Sequence, residues 1–201
     1  MGFQMRVLFL GPSDSPLIPF LRDAGDETTA TADPVDPAVL SRAGHEFLVS
    51  YGYRHILRPP VLDLFPGRAV NLHVSLLPWN RGADPNLWSF LEGTPKGVTI
   101  HHLDPGVDTG DLIVQREVAP RPGDTLKTSY DRLTESIRAL FYENWPAIRS
   151  GAAPRRPQPT GGTTHRMKDK DAHAAALPQG WDTPVSAVEA YGRAQGLFRR
   201  A

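Results

Sequence analysis

The sequence predicts an α/β fold, a mainly parallel twisted sheet with flanking helices. Three observations carry this expectation. Short continuous apolar runs, such as Met-Arg-Val-Leu-Phe-Leu at residues 5–10, fit strands buried on both faces. These runs alternate with segments bearing helix start and stop signals, the order of a sheet built from strand–helix–strand crossovers. Proline (20) and glycine (18) are frequent enough to punctuate many short loops.

The elements follow in order. The first strand ends at Gly11-Pro12. Ser15 before Pro16 reads as a helix cap, with the helix running to about Asp23 and stopping at Gly25. Residues 27–32 read as a threonine-rich strand. Asp36-Pro37 starts a short helix that Gly44 ends, and residues 46–50 form a third strand. A short helix is expected over 60–65, closed by Pro66-Gly67, then a fourth strand over 68–73. Asp84-Pro85 opens a helix to Glu92, with Gly93 beyond its end. Residues 97–103 and 112–118 are strands whose connection is too short for a parallel crossover, so the second pairs antiparallel or leaves the parallel core. Asp124 caps the longest helix. Its stripe of Leu126, Tyr130, Leu133, Ile137, Leu140, Phe141 and Ile148 is core, and Pro146 should kink or end it. Beyond residue 150 the composition changes to proline, glycine and mixed charge. The reading is a catalytic domain over 1–150 and a loop-rich extension over 151–201 with a last helix at 184–193.

Composition excludes several classes. With 201 residues and 40% hydrophobic content the core needs no staples. There is no cysteine, hence no disulfide or thiolate chemistry. The start, Met1-Gly2-Phe3-Gln4-Met5-Arg6, reads as neither signal peptide nor spanning helix, so a cytoplasmic protein with no membrane partner is expected. Lys and Arg total 22, as do Asp and Glu, and this neutral balance argues against a nucleic-acid partner. The turn Gly11-Pro12-Ser13-Asp14-Ser15-Pro16 lacks the later glycines of a dinucleotide fingerprint, which argues against a nicotinamide cofactor.

The chemistry gathers at residues 71–82. Asn71 and His73 end an apolar run at strand spacing and should share one face. Leu76, Leu77 and Pro78 follow as an apolar wall, and Arg81-Gly82 turns the chain. Later comes Val107-Asp108-Thr109-Gly110, an acidic residue in a glycine-bounded loop. A carboxamide, an imidazole and a carboxylate suffice for acyl transfer: an oxyanion donor, an acid/base and an orienting charge. Alone, His73 reads more readily as a satisfied sheet histidine, and Asp108 also as an ordinary turn cap. His101 and His102 raise the question of a metal, but neighbours on a strand point to opposite faces and no further ligand set accompanies them, so no metal site is expected.

Three ordered motifs carry a family resemblance: Asn-x-His-x-Ser-Leu-Leu-Pro at 71–78, Gly-Val-Thr-Ile-His at 97–101 and Asp-Thr-Gly at 108–110. Together, over about residues 5–150, they resemble the folate-dependent formyltransferase family, whose members act on methionyl-tRNA, glycinamide ribonucleotide or nucleotide sugars. The resemblance implies a Rossmann-like catalytic domain using 10-formyltetrahydrofolate as formyl donor. It assigns Asn71 and His73 to the oxyanion, and Asp108 to orienting His73 and moving the amine's proton. It places the donor against Tyr53, His55, Ile56 and Leu57, with Leu76, Pro78, Asp104 and Val107 completing the slot. Ser75 would brace the loop. Trp79, Arg81 and Ser13 are expected to meet the acceptor; Arg81 is either a phosphate clamp or a solvated surface arginine. Residues 163–166 read as a plain loop rather than one folding back to the acceptor. Trp-Asn-Arg-Gly-Ala-Asp-Pro-Asn at 79–86 resembles bacterial proteins near the sugar-modifying branch, so a nucleotide-linked amino sugar is the first choice among small amine acceptors. The alternatives are a methionyl-tRNA formyltransferase, a formyltetrahydrofolate hydrolase and a non-catalytic folate-binding protein. Self-association is left open.

Overall fold

The computed structural model describes residues 4–199; Met1, Gly2 and Phe3 of the N-terminal reading lie outside the described residues. A six-stranded sheet has the order β2-β1-β3-β4-β6-β7. Its strands are β1 (Arg6–Leu10), β2 (Glu27–Thr31), β3 (Phe47–Tyr51), β4 (Ala69–His73), β6 (Gly97–His102) and β7 (Leu112–Glu117). The first four pair in parallel. The amide of Leu103, just past β6, donates to the carbonyl of Ala69 at the start of β4, so β6 runs against β4. His102 N donates to Asp111 O, and β7 returns antiparallel, as its short connection requires. The α/β class, mainly parallel with helices around the sheet, is thereby established.

The chain divides into two compact units. The first comprises residues up to His73 with Ile100–Ile113 and Phe141–Arg156. Here α2 (Pro37–Ala43) carries the expected signals: the Asp36 carboxylate accepts from Ala38 N at 2.7 Å, and Gly44 ends the helix in the left-handed region. In α1 (Leu17–Asp23) the cap position is Pro16 rather than Ser15, whose hydroxyl accepts weakly from Leu17 N at 3.4 Å. The next helix, α3, is Pro59–Leu62 and shorter than expected. Past it, Leu64 and Phe65 make tight bonds to carbonyls three residues back, which turn the chain toward Pro66-Gly67. Leu8, Leu10, Leu40, Leu48, Leu57, Val61 and Phe65 form one buried cluster under these helices.

The long helix α5 (Leu126–Ser150) passes through Pro146 without ending there. A proline inside a helix costs about 3 kcal/mol. Phe141, Trp145 and Ile148, all almost wholly buried, flank it and are worth about 1.5–3 kcal/mol each. Trp145, absent from the expected stripe, packs edge-on to Phe47 at 5.2 Å, and its indole N–H donates to the buried Asp26 carboxylate at 2.9 Å. Arg149 holds the other Asp26 oxygen at 2.7 Å.

The second unit holds Val74–Thr99, Val114–Leu140 and the chain from Pro157. It contains α4 (Pro85–Leu91), a two-stranded parallel sheet of β5 (Arg81–Gly82) and β8 (Thr164–His165), and α6 (Val185–Ala194). Within the expected plain loop at 163–166, Thr164 and His165 thus form a strand. A two-residue pairing partner more than eighty residues away leaves no local periodicity. Asp84 does not cap α4 through its side chain; its carboxylate meets Lys170 at 2.9 Å instead. The core of this unit is Leu87, Trp88, Phe90 and Leu91 against Leu126, Ala176, Val185 and Val188. Its closeness depends on Gly192 of α6, where a Cβ would lie 2.1 Å from the Leu91 carbonyl oxygen. Tyr130 leaves the α5 stripe: it is 37% exposed and meets Trp181 edge-on. No described helix is long and apolar enough to cross a membrane.

The start of α5 carries a testable charge effect. Its cap is Thr125, which exchanges side-chain-to-backbone bonds with Thr128. Asp124, one residue earlier, is buried under Arg132. That guanidinium, against an opposing push from burial and with help from the Arg121 amide and Thr128, holds the carboxyl far below the usual carboxylate range. A depressed folded-state pKa stabilises above the unfolded value and is lost as pH falls below it. Asp124→Asn is therefore expected to lose about 1.5–3 kcal/mol at pH 7. The gap to wild type should close as pH drops below about 4. Thermal melts of both proteins across pH 3–7 check this; a constant gap would refute it.

Candidate active site

Parallel sheets present ligands at the carboxyl ends of their strands. Asn71 and His73 occupy that end of β4, two residues apart on one face, with Asn71 beside Ser50 of β3. Asp108 comes from the loop after β6. The structure brings all three together within the first unit. Asn71 Nδ2 donates to Asp108 Oδ1 at 3.1 Å, and His73 Nδ1 lies 3.5 Å from Asp108 Oδ2. His73 is 7% exposed.

A fourth group, His101, completes the cluster. Its Nε2 lies 3.3 Å from Asn71 Nδ2 and 3.3 Å from Asp108 Oδ1. Its Nδ1 meets the carbonyl of His102 at 2.8 Å; a carbonyl only accepts, so Nδ1 carries the proton. Sequence reasoning weighed His101 only as a metal ligand. The alternation of β6 puts it on the face opposite His102, but only the neighbourhood of β4 and β6 shows that this face is the one Asn71 occupies.

The distances fix what Asn71 can offer. Its nitrogen, His101 Nε2 and Asp108 Oδ1 form a nearly equilateral triangle. The two acceptors subtend about 60° at the amide, half the roughly 120° between carboxamide N–H bonds. A single N–H directed between them can serve both, and in that arrangement the second N–H faces a ligand. For His73, a carboxylate facing Nδ1 favours the Nδ1–H tautomer and leaves Nε2 with a lone pair, the form that accepts a proton. The arrangement can therefore donate to an oxyanion and receive a proton within one cluster.

Tyr53, His55, Ile56 and Leu57 line one groove, with Val35, Pro37, Arg58 and Pro60 among its other walls. The Tyr53 hydroxyl donates to Asp33 O at 2.8 Å, and burial pushes its phenol pKa up, so it remains a neutral donor. Its ring meets His55 edge-on at 5.1 Å. Ile56 is 59% exposed, whereas Leu57 is buried in the core cluster. Such aromatic and aliphatic walls suit a flat heteroaromatic ring. Leu103 packs on the same cluster as Leu57 and leads into the Asp108 loop. Val107 is exposed in that loop, and Asp104 accepts there from Gly106 N and Thr109 Oγ1. Ser13 is exposed in the turn after β1.

Leu76, Pro78, Trp79 and Arg81 belong to the second unit. Ser75 braces their turn, its hydroxyl donating to Trp79 O at 2.7 Å. Thr99 Oγ1 accepts from Leu77 N at 3.1 Å and donates to Ser75 O at 2.7 Å. Arg81 is engaged within the protein: its guanidinium donates to Gln158 Oε1 at 2.7 and 3.1 Å and to Gly161 O at 3.3 Å. In the same unit Glu92 is buried and meets Asn80, His165 and the exposed Arg199. Burial alone would raise the Glu92 pKa; His165, Thr163 and Arg199 together hold it below the ordinary value. His165 also stacks on Trp88, ring centroids 3.7 Å apart.

Residues 24–144 match the family model for formyl transferase. The chain is 50% identical to the formyltransferase PseJ from Anoxybacillus kamchatkensis, solved in complex with UDP-4,6-dideoxy-4-formamido-L-AltNAc and tetrahydrofolate; the match has a TM-score of 0.89 and covers 93% of this chain and 99% of that one. A 4-N formyltransferase from Francisella tularensis shares the fold at a TM-score of 0.77 and 19% identity, over 95% of this chain and 87% of that one. The methionyl-tRNA formyltransferase of Burkholderia ambifaria is 35% identical over 182 residues, 90% of this chain and 54% of that protein. The chain spans about half the length of the curated relatives it matches.

Proposed function

The chain belongs to the formyl transferase family, and from that premise we propose that it moves a formyl group from 10-formyltetrahydrofolate to the primary amine of a nucleotide-linked amino sugar. The observation that carries the proposal is the cluster of Asn71, His73 and Asp108, which sets a carboxamide donor and an imidazole against one carboxylate. The amine lone pair attacks the formyl carbon, and the formyl oxygen becomes an oxyanion. Asn71 donates to that oxygen. The new ammonium gives up a proton through His73, Asp108 or a bound water. The folate nitrogen leaves with the bonding pair and takes a proton, and tetrahydrofolate is released. The groove at Tyr53 and Ile56 supports binding of the folate ring there.

PseJ, half identical over nearly its whole length, was crystallised with a UDP-linked formamido sugar and tetrahydrofolate. That supports an amino-sugar acceptor here. The neutral charge agrees, since a tRNA partner must neutralise many phosphates. The Burkholderia likeness favours a second reading, transfer to methionyl-tRNA. The protein is therefore offered 10-formyltetrahydrofolate with a UDP-linked 4-amino sugar in one assay and with methionyl-tRNA in another. Efficient formylation of the sugar, with modest salt dependence, is expected. Formylation of tRNA alone, falling steeply with salt, would show the other branch. Formate release without an acceptor would mark a hydrolase. A folate analogue at about a hundred times its Kd should stabilise the fold by about 2.7 kcal/mol in a thermal melt; no stabilisation would remove the donor from the proposal.

A further inference from the structure

We propose that Asp104 and Thr109 form a clasp that sets the direction of Asp108, making Asp104 a positioning residue rather than a donor-contacting one. The inference rests on the proposed role of Asp108. One oxygen of Asp104, Oδ1, accepts two bonds, from Gly106 N at 3.0 Å and from the Thr109 hydroxyl at 2.7 Å. The first closes an ordinary turn two residues long. The second reaches across five residues to the neighbour of Asp108, so a single carboxylate ties both ends of the loop.

What lies between them needs holding. Asp108 has φ of 52°, the left-handed region that residues with a Cβ seldom adopt. Such a backbone persists where its surroundings over-determine it. Thr109 is fitted closely for this: a Cβ on Gly106 would lie 2.0 Å from Thr109 Oγ1 and 3.1 Å from Thr109 Cβ, so position 106 admits the threonine only as glycine. The direction of the Asp108 side chain follows from this backbone. Its two oxygens face Asn71 and His101 on one side and His73 on the other. A loop left to relax toward ordinary φ would swing both oxygens away together. Asp104 itself is only half-buried and reaches the cluster through Thr109 and the backbone alone.

The test measures kcat, the KM for 10-formyltetrahydrofolate, the pH–rate profile and the melting temperature for Asp104→Ala, Asp104→Asn, Thr109→Val, Thr109→Ser and the double Asp104→Ala/Thr109→Val, with Asp108→Ala as reference. A displacement of about 1 Å at a catalytic group costs on the order of a hundredfold. Thr109→Val, which keeps shape but loses the hydroxyl, and Asp104→Ala should lower kcat by about tenfold to a hundredfold and shift the pH–rate profile, while KM stays within about twofold. Thr109→Ser restores the hydroxyl and Asp104→Asn keeps an acceptor, so both should recover most of the rate. The double variant should be no slower than either single, because one clasp is lost only once. Should Asp104→Ala fail to fold, the valine–serine pair at Thr109 carries the comparison. Near-normal kcat and pH profile in Thr109→Val overturn the clasp. A raised KM with unchanged kcat in Asp104→Ala also overturns it and makes Asp104 a donor contact. Near-normal turnover in Asp108→Ala overturns the underlying site instead.

Discussion

Alanine at Asn71, His73 or Asp108 is expected to cut formyl transfer by about two orders of magnitude or more, the usual loss on removing an oxyanion donor or a general base. The three act as one unit, since Asp108 spans the other two, at 3.1 Å from Asn71 and 3.5 Å from His73. Double variants should therefore be little worse than the worst single. Folding should survive, because Asn71 and His73 close a strand at its carboxyl end and Asp108 lies in a loop. Asp108→Asn separates charge from shape: it keeps an oxygen toward Asn71 but removes the carboxylate facing His73 Nδ1. Steady-state rates with matched circular-dichroism melts decide the matter. Near-normal turnover at any of the three positions would remove that residue from the mechanism. His101→Ala belongs in the same series, because loss of its Nε2 leaves the Asn71 amide with Asp108 alone to orient it.

Where a signal is local, the sequence made it readable. The Asp36 cap and the Gly44 stop bound α2, and both act at the helix end itself, the one through a carboxylate on Ala38 N and the other through the left-handed backbone that a missing Cβ allows. The pairing of Asn71 with His73 needs only the two-residue period of a strand. Signals fail where a distant partner decides. Asp84 looks like a helix cap, yet Lys170 takes its carboxylate. Pro146 looks like a kink or a stop, yet the helix does not end there. Thr164 and His165 become a strand only because Arg81 and Gly82 lie alongside. His101 is the case that matters most for chemistry. Its motif and its face were both visible, but its partners come from β4 and from the Asp108 loop, and strand order is set by tertiary packing. Likewise no local signal marks Asp26, and only the fold brings Trp145 and Arg149 to it across the chain.

The second large effect is expected at Gly110. This residue closes the Asp-Thr-Gly turn, buried against the strand that carries His101. A Cβ there would lie 1.9 Å from the His102 carbonyl oxygen and 2.8 Å from its carbon. Backbone on both sides leaves no flexible side chain to yield, so Gly110→Ala must move the loop or the strand. Overpacking of this kind costs about 1–3 kcal/mol. For a chain of this size that lowers Tm by about 2–4 °C per kcal/mol. Activity should suffer more than stability suggests. The same His102 oxygen receives the Nδ1 proton of His101 at 2.8 Å, and Asp108 is two residues from Gly110. A shift at the contact therefore disturbs both partners of Asn71 together, and a displacement near 1 Å would cost about a hundredfold in rate. The pattern across variants identifies the cause: Asp108→Ala should lose turnover with little change in Tm, whereas Gly110→Ala should lose both, and Gly110→Val more of each. A Gly110→Ala protein with wild-type turnover and melting temperature would mean that the close approach of this loop to β6 is not what holds Asp108 and His101 in place.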